Sequence, residues 1–286
     1  MEMVRRWRSS NSWSARASAM DGDDGARSEG RRIALLLEYD GTAYSGSQYQ
    51  ENGPSIQSEL EAAIHKLTTE EERAAFAGRT DAGVHALGQV ASFETNSKLM
   101  PAEFVSGLNH FLPEDIAVRA AKDVAREFDP RRHALSRLYR YRIENRAVRS
   151  PLERNRSWHV ARPLDVAAMQ RAAVLLEGKY DFASFAGPFD GRTERTMRRC
   201  EIAACGGQVT VGMEAQAFLP HQVRRMVGPL VELGLGRISE ETLVAWLNEP
   251  RASAAGPAAP SCGLYLVSVA YDGLEFGPEE GNGQSA

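Results

Sequence analysis

From about residue 31 to residue 272 the apolar positions follow two rhythms, alternation at every second residue and recurrence at every third or fourth, the periods of strands and helices. Residues 32–39 form an aliphatic run predicted as a strand. Ile56, Leu60, Ala63, Ile64 and Leu67 then stripe one face of a helix that begins near Pro54-Ser55. Strands are predicted near 73–78 and 88–94. A second helix opens at Pro101 with Phe104, Leu108 and Phe111 on its apolar face, and 116–124 closes the set as a strand. Strand-helix-strand-strand-helix-strand is the split βαβ order, an antiparallel sheet with helices on one face. The order recurs with elaboration: a strand over 135–144, a helix over 165–177, strands over 195–204 and 208–216, helices over 221–234 and 239–248, and a strand over 263–271. The expected fold class is α+β, two split-βαβ halves spanning 31–127 and 128–273 whose antiparallel sheets meet at a central cleft.

The two ends depart from this patterning. Residues 1–30 are rich in Ser, Arg, Asp and Gly with few aliphatics, and 274–286 are Gly-rich and acidic, so both are expected to be disordered tails. In the first twenty residues Glu2 is the only acid, which suits an organelle transit peptide, but a translation start at Met20 explains the stretch more simply. With 286 residues, 43% hydrophobic and 25% charged, the chain has the composition of a globular protein with room for two domains. No apolar stretch approaches the ~18 residues that would span a bilayer, so no membrane association is expected. Cys200, Cys205 and Cys262 lack the pairing of a disulfide framework and the spacing of a metal site; they are read as reduced thiols, with no metal expected. The net charge of −4 speaks against a polyanionic partner, yet the cations are clustered. Between Arg126 and Arg162 arginines far outnumber Glu127, Asp129, Glu144 and Glu153, and Arg192, Arg195, Arg198 and Arg199 follow a Gly-Pro loop at 187–191. Forked guanidinium donors suit phosphate oxygens and stack on unpaired bases, although such clusters also occur as plain solvated faces.

One motif concentrates the chemistry. Gly78-Arg79-Thr80-Asp81-Ala82-Gly83-Val84-His85 hangs a single carboxylate between two glycines beside an arginine. Glycines permit tight or left-handed backbone and close approach of a bulky partner, which makes Asp81 the leading catalytic candidate. The same Thr-Asp-Ala-Gly run also fits an ordinary surface turn. On the strand over 135–144, Tyr139, Tyr141 and Ile143 share one face and Arg140 and Arg142 the other, so Tyr139 suits a cleft or a core. Arg224 falls in the first turn after Pro220, where a cation opposes the helix dipole, and it adjoins the apolar stripe of Val223, Val227, Leu230 and Val231. A carboxylate partner, Asp81 foremost, would account for it; a snorkelling surface side chain would also.

The motif, continued by Gly88-Gln89-Val90 and Phe93, resembles the catalytic signature of the TruA-type tRNA pseudouridine synthases. Glu38-Tyr39-Asp40-Gly41-Thr42 with Gly46 and Gln48, and Ser55-Ile56-Gln57-Ser58-Glu59-Leu60, resemble that family upstream. Downstream the matching stretches are Asp115-Ile116-Ala117-Val118 and Arg137-Leu138-Tyr139-Arg140-Tyr141. Phe218-Leu219 with His221, Val223, Arg224, Met226, Val227 and Gly228 follows, and then Gly263-Leu264-Tyr265-Leu266, all in family order. The resemblance implies two ferredoxin- or RRM-like halves and isomerisation of uridine to pseudouridine in the anticodon stem-loop, at tRNA positions 38–40. It also implies no cofactor, a tRNA partner, a homodimer and a cytoplasmic setting. Asp81 would be nucleophile or base, Arg224 its ion-pair partner, and Tyr139 the residue that stacks on the base and helps move the C5 proton. Leu264 would form an apolar wall, and Arg79 would fill the gap left by the extruded nucleotide. His85 sits on the substrate-binding side of the motif and is read as structural rather than catalytic. Two departures stand out: Ser47 occupies a position where the family usually has tryptophan, which removes an aromatic contact or shifts it to Tyr49, and Pro220-His221-Gln222 differs from many relatives. Two other classes remain open, a catalytically silent RNA-binding protein and a glycosidase-like hydrolase, the latter short of a second carboxylate.

Overall fold

The computed structural model describes residues 30–51 and 53–276. The expected tail at 1–30, apart from residue 30, and the end of the tail expected at 274–286 lie outside the described residues. The first half contains β1 (Arg31–Tyr39), α1 (Ile56–Thr68), β2 (Ala75–Phe76), β3 (His85–Thr95), α2 (Pro101–Phe111) and β4 (Ile116–Val124). The second contains β5 (Ser136–Asn145), β6 (Trp158–Val160), α3 (Val166–Leu175), β7 (Gly178–Asp181), β8 (Glu194–Cys205), β9 (Gln208–Ala215), α4 (Gln222–Gly234), α5 (Glu240–Asn248) and β10 (Leu264–Ala270). The α+β class expected from the patterning is what the structure has.

Local chemistry explains the element ends. Ser55 caps α1 by accepting from Ser58 N–H, and the Ser58 side chain returns the favour to the Ser55 amide, a reciprocal box that satisfies two otherwise orphaned donors. Pro101 opens α2 where its missing N–H costs nothing. Along β1, Ile33, Leu35 and Leu37 are buried against the helices, and Phe93 meets Phe104 edge-on at 5.6 Å. Two short strands, β6 and β7, escape the sequence reading because three or four edge residues carry too little alternation to register.

The two halves do not stack two separate sheets. Their strands run on as one, in the order β4-β1-β3-β10-β5-β9-β8-β7, with β2 beside β3 and β6 beside β5. The cause is the brevity of β2. It covers only Ser92 and Ala91 on the outer edge of β3, which leaves the start of that edge free, and there β10 pairs in parallel, Tyr265 with His85 and Leu266 with Ala86. The other edge of β10 pairs antiparallel with β5, Leu266 opposite Tyr139. Paired residues share a face, so the series Tyr39, Ala86, Leu266, Tyr139 and Met213 puts the helices of both halves on the same side of the sheet. The two sheets expected to meet at a cleft are thus one continuous sheet, with β10 as the seam.

Candidate functional site

Residues 77–84 leave the sheet at this seam, between β2 and β3, and the backbone groups of Ala77, Gly78 and Thr80 on the way out have dedicated partners. Ala77 C=O accepts from Arg137 Nε at 3.1 Å and Nη2 at 2.7 Å. The fully buried Gln89 amide takes the place of a neighbouring strand for Gly78, accepting from its N–H at 3.3 Å and donating to its C=O at 2.8 Å. Thr80 N–H donates to Ser47 Oγ at 2.8 Å, Ser47 N–H donates to Thr80 C=O at 3.0 Å, and the Thr80 hydroxyl meets Tyr39 Oη at 2.9 Å. Gly46, at φ +114°, lies so close that an added Cβ would stand 2.7 Å from Thr80 O. The turn closes with Val84 N–H on Asp81 C=O at 3.1 Å, through Gly83 in the left-handed region at φ +74°.

This bracing presents Asp81 to the start of α4. Arg224 Nη1 donates to Asp81 Oδ2 at 2.8 Å, and His221 Nδ1 donates to the same oxygen at 2.8 Å. Arg224 is itself clasped, its Nε donating to Ala259 C=O at 2.7 Å while Ala259 N–H donates to Arg224 C=O at 3.0 Å. The guanidinium is 16% exposed and the carboxylate 32%, so the pair is reachable yet half-shielded from screening. A negative charge at the N-terminal end of α4 also gains from the helix dipole. The partnership expected of Arg224 is formed.

Tyr139 lies beside the loop. Its ring meets Phe218 edge-on at 5.1 Å, and a Cβ added at Gly78 would stand 3.5 Å from its hydroxyl. Burial pushes the Tyr139 phenol far above its ordinary range, with nearby Tyr39 and Asp81 adding to the rise against the opposing Arg137, so the phenol is neutral near neutral pH. Leu264 is buried where β10 begins, paired with Tyr141. Arg79 is exposed and forms no ion pair with the described residues.

His85 is placed apart from these groups. Only 2% exposed, its ring stacks on Tyr265 at 4.7 Å, Nδ1 accepts from Gly41 N–H at 3.1 Å, and Nε2 therefore carries the proton and donates to Asn155 C=O at 2.9 Å. Its 3.2 Å approach to Asp40 Oδ1 becomes an ion pair only on protonation, which would leave Gly41 N–H without its acceptor. The arginine cluster divides as well. Arg137 is buried and spent on main-chain carbonyls of Ala77, Arg131 and Gln216, and Arg142 and Arg146 pair with Glu153 and Glu144. Arg140, Arg149, Arg154, Arg156 and Arg162 remain exposed. A groove of about 490 Å³ lies on the opposite side of the sheet, lined by Arg140, Arg142, Thr210 and Tyr265, and Asp81 and Arg224 are not part of it. Tyr49, the alternative aromatic contact, is half-exposed beneath Arg73. Among the described residues no three His, Cys, Asp or Glu side chains are grouped to hold a metal ion, and no helix is long and apolar enough to cross a membrane.

Comparison with known proteins matches residues 36–131 and 172–272 to the family model of tRNA pseudouridine synthase. The chain belongs to that family. Both matched parts bear on the site, the first holding Asp81 and the second Arg224. Among curated relatives, tRNA pseudouridine synthase A of Pelobacter propionicus is 47% identical over 245 residues, 84% of this chain and 100% of that protein. The protein of the same name from Myxococcus xanthus is 46% identical over 244 residues, 84% of this chain and 92% of the relative. That of Roseiflexus castenholzii is 47% identical over 257 residues, 88% and 93%. A tRNA pseudouridine synthase is an isomerase. Three side chains of the site in this synthase were named in the sequence without a role in it, Gln89 and His221 in the matching stretches and Ser47 as a departure. Gln89 and Ser47 carry no chemical signature that sets them apart from ordinary strand and loop residues. His221 had one signal, its position three residues before an arginine expected to need an anion.

Proposed function

We propose that the chain isomerises uridine to pseudouridine in the anticodon stem-loop of tRNA, with Asp81 as its catalytic carboxylate, as a cytoplasmic homodimer built from halves 31–127 and 128–273. The observation that carries this reading is the carboxylate itself, braced on a rigid turn at the seam, tied by one oxygen to Arg224 and next to a neutral phenol. The reaction breaks C1′–N1, turns the uracil, joins C1′ to C5, moves the C5 proton to solvent and places one on N1. No atoms are gained and no electrons exchanged overall, so a positioned carboxylate and a closed pocket suffice. Tyr139, its phenol kept neutral by burial, would stack on the base and help move the C5 proton. The target base leaves its stack at a cost of about a few kcal/mol, and the exposed Arg79 is placed to occupy the gap. Leu264 would wall the uracil against escape, and His85 would act from beneath by tying the seam. The exposed arginines would meet phosphates, which makes binding salt-dependent.

The test is to map pseudouridine in unmodified tRNA after incubation with purified wild-type and Asp81→Asn protein. Modification confined to the anticodon arm and absent with Asp81→Asn is the expected result. Wild-type activity retained by Asp81→Asn, or free uracil as the product, would overturn the assignment. Light scattering of the protein at micromolar concentration tests the dimer.

A further inference from the structure

His221 combines two features that neither helix formation nor stability requires. It precedes α4 in the left-handed region, φ 58° and ψ 5°, a conformation costly for a residue that carries a Cβ, and it makes no side-chain cap for the helix. That backbone aims its ring at Asp81. Nδ1 lies 2.8 Å from Asp81 Oδ2, and because an ionised carboxylate only accepts, Nδ1 carries the proton. The ring is also backed. Gly187 N–H donates to Pro220 C=O at 2.8 Å, and a Cβ at Gly187 would stand 2.6 Å from His221 Cδ2, so glycine there lets the loop close behind the imidazole.

Both donors to Asp81, from His221 and from Arg224, converge on Oδ2. Oδ1 accepts no hydrogen bond from the described residues. We propose that His221 is a positioning residue of the isomerase, sharing Oδ2 with Arg224 so that the carboxylate cannot rotate and Oδ1 is the oxygen presented to the ribose. The proposal rests on the activity proposed above. In direct attack, Oδ1 gives a lone pair to C1′ as the C1′–N1 pair departs with the uracil. C5 of the turned uracil then supplies the pair that rejoins C1′, Oδ1 recovers its own, the C5 proton goes to solvent and N1 takes one up. If the carboxylate instead removes the C2′ proton, the same oxygen accepts it and later gives it back. Arg224 alone fixes one contact and leaves the carboxyl free to turn about it; a second donor from another direction removes that freedom.

The experiment compares full-length wild type, His221→Gly and His221→Asn. Single-turnover release of tritium from uridine C5 is followed in unmodified tRNA, alongside melting temperature and tRNA affinity. Glycine adopts φ 58° without steric cost and asparagine tolerates it while keeping an N–H donor. His221→Gly is expected to melt at or above the wild-type temperature and bind tRNA as well, yet react roughly 10- to 100-fold more slowly, the loss expected of one charge-assisted hydrogen bond. His221→Asn should react faster than the glycine variant. A merely structural histidine would not give greater stability with lower rate. A glycine variant as fast as wild type, one that loses rate and stability together, or an asparagine variant no faster than glycine would overturn the proposal. A nitrogen-15 histidine spectrum supplies an arm independent of turnover: the Nδ1-protonated form of His221 in wild type should be lost in Asp81→Ala, and its persistence there would overturn the pairing. A wild-type protein inactive on every tRNA would refute the activity instead, and the spectrum would still decide the pairing.

Discussion

Gln89→Met tests whether the reactive loop is seated from beneath. The amide of Gln89 accepts from Gly78 N–H at 3.3 Å, donates to Gly78 C=O at 2.8 Å and approaches the Tyr39 hydroxyl at 3.4 Å, all inside the sheet. Methionine has nearly the same volume, so no cavity opens and the loss is confined to polar pairing. Two of the three contacts are long, and the weight falls on the bond to the carbonyl. A buried amide or carbonyl stripped of its partner costs about 1–3 kcal/mol, and with Gly78 only half-buried the pair together comes to about 2–4 kcal/mol. In a protein of this size that lowers the melting temperature by roughly 4–8 °C. Thr80 keeps its bonds to Ser47 and Tyr39, so the loop stays attached and the expected defect is loosened aim rather than collapse. Turnover on tRNA should therefore fall well below wild type at a temperature where the variant is folded, while tRNA affinity in filter binding holds, since no exposed arginine is touched. A variant that melts within about 2 °C of wild type and keeps its single-turnover rate would refute the reasoning.

Three further outcomes follow from contacts in the structure. Arg224→Lys cannot serve Asp81 and Ala259 at once, as the guanidinium does, so kcat should drop roughly 10- to 100-fold with KM nearly constant; a rise in KM alone would mean the pair serves binding. Gly46→Ala forces a Cβ to 2.7 Å from Thr80 O at φ +114°, and its urea midpoint should report a loss of about 2 kcal/mol or more; an unchanged midpoint would show that the two loops part easily. Asp40 is held below its ordinary carboxyl value of 3.8: partial burial works upward, but the Thr42 hydroxyl and amide, with His85 and Arg156 nearby, outweigh it. A lowered folded value stabilises above 3.8 and is lost as pH falls through it, so the stability gap between wild type and Asp40→Asn should persist at neutral pH and close in acid; a gap that widens in acid would contradict this sign.

Much of the architecture was legible because the apolar stripes are strong and their ends are marked. Pro101 and Ser55 announce their helices, and the alternation of Tyr139, Tyr141 and Ile143 against Arg140 and Arg142 told which side of β5 is interior. Arg224 was legible for an electrostatic reason, a cation at the wrong end of a helix dipole that must find an anion. Other features depend on distance in space and leave no local mark. The splice of β10 onto β3 turns on how much edge a two-residue strand leaves open, which periodicity does not encode. Ser47 looked like a lost aromatic contact, whereas it is buried and exchanges two hydrogen bonds with Thr80. Arg137 stood among arginines read as phosphate ligands, yet its guanidinium holds three main-chain carbonyls together.

Among the described residues β10 comes last in chain order, yet it lies in the middle of the sheet. A nascent chain whose β10 is still inside the ribosome leaves the beginning of β3 and one border of β5 open, with the Asp81 turn hanging from an unfinished margin. Arg224 precedes β10 in the chain, and the Ala259 carbonyl that clasps its guanidinium lies just before that strand. Completion of the reactive centre thus waits for β10, and a chain cut before Leu264 would keep an open, adhesive strand border where that centre should close.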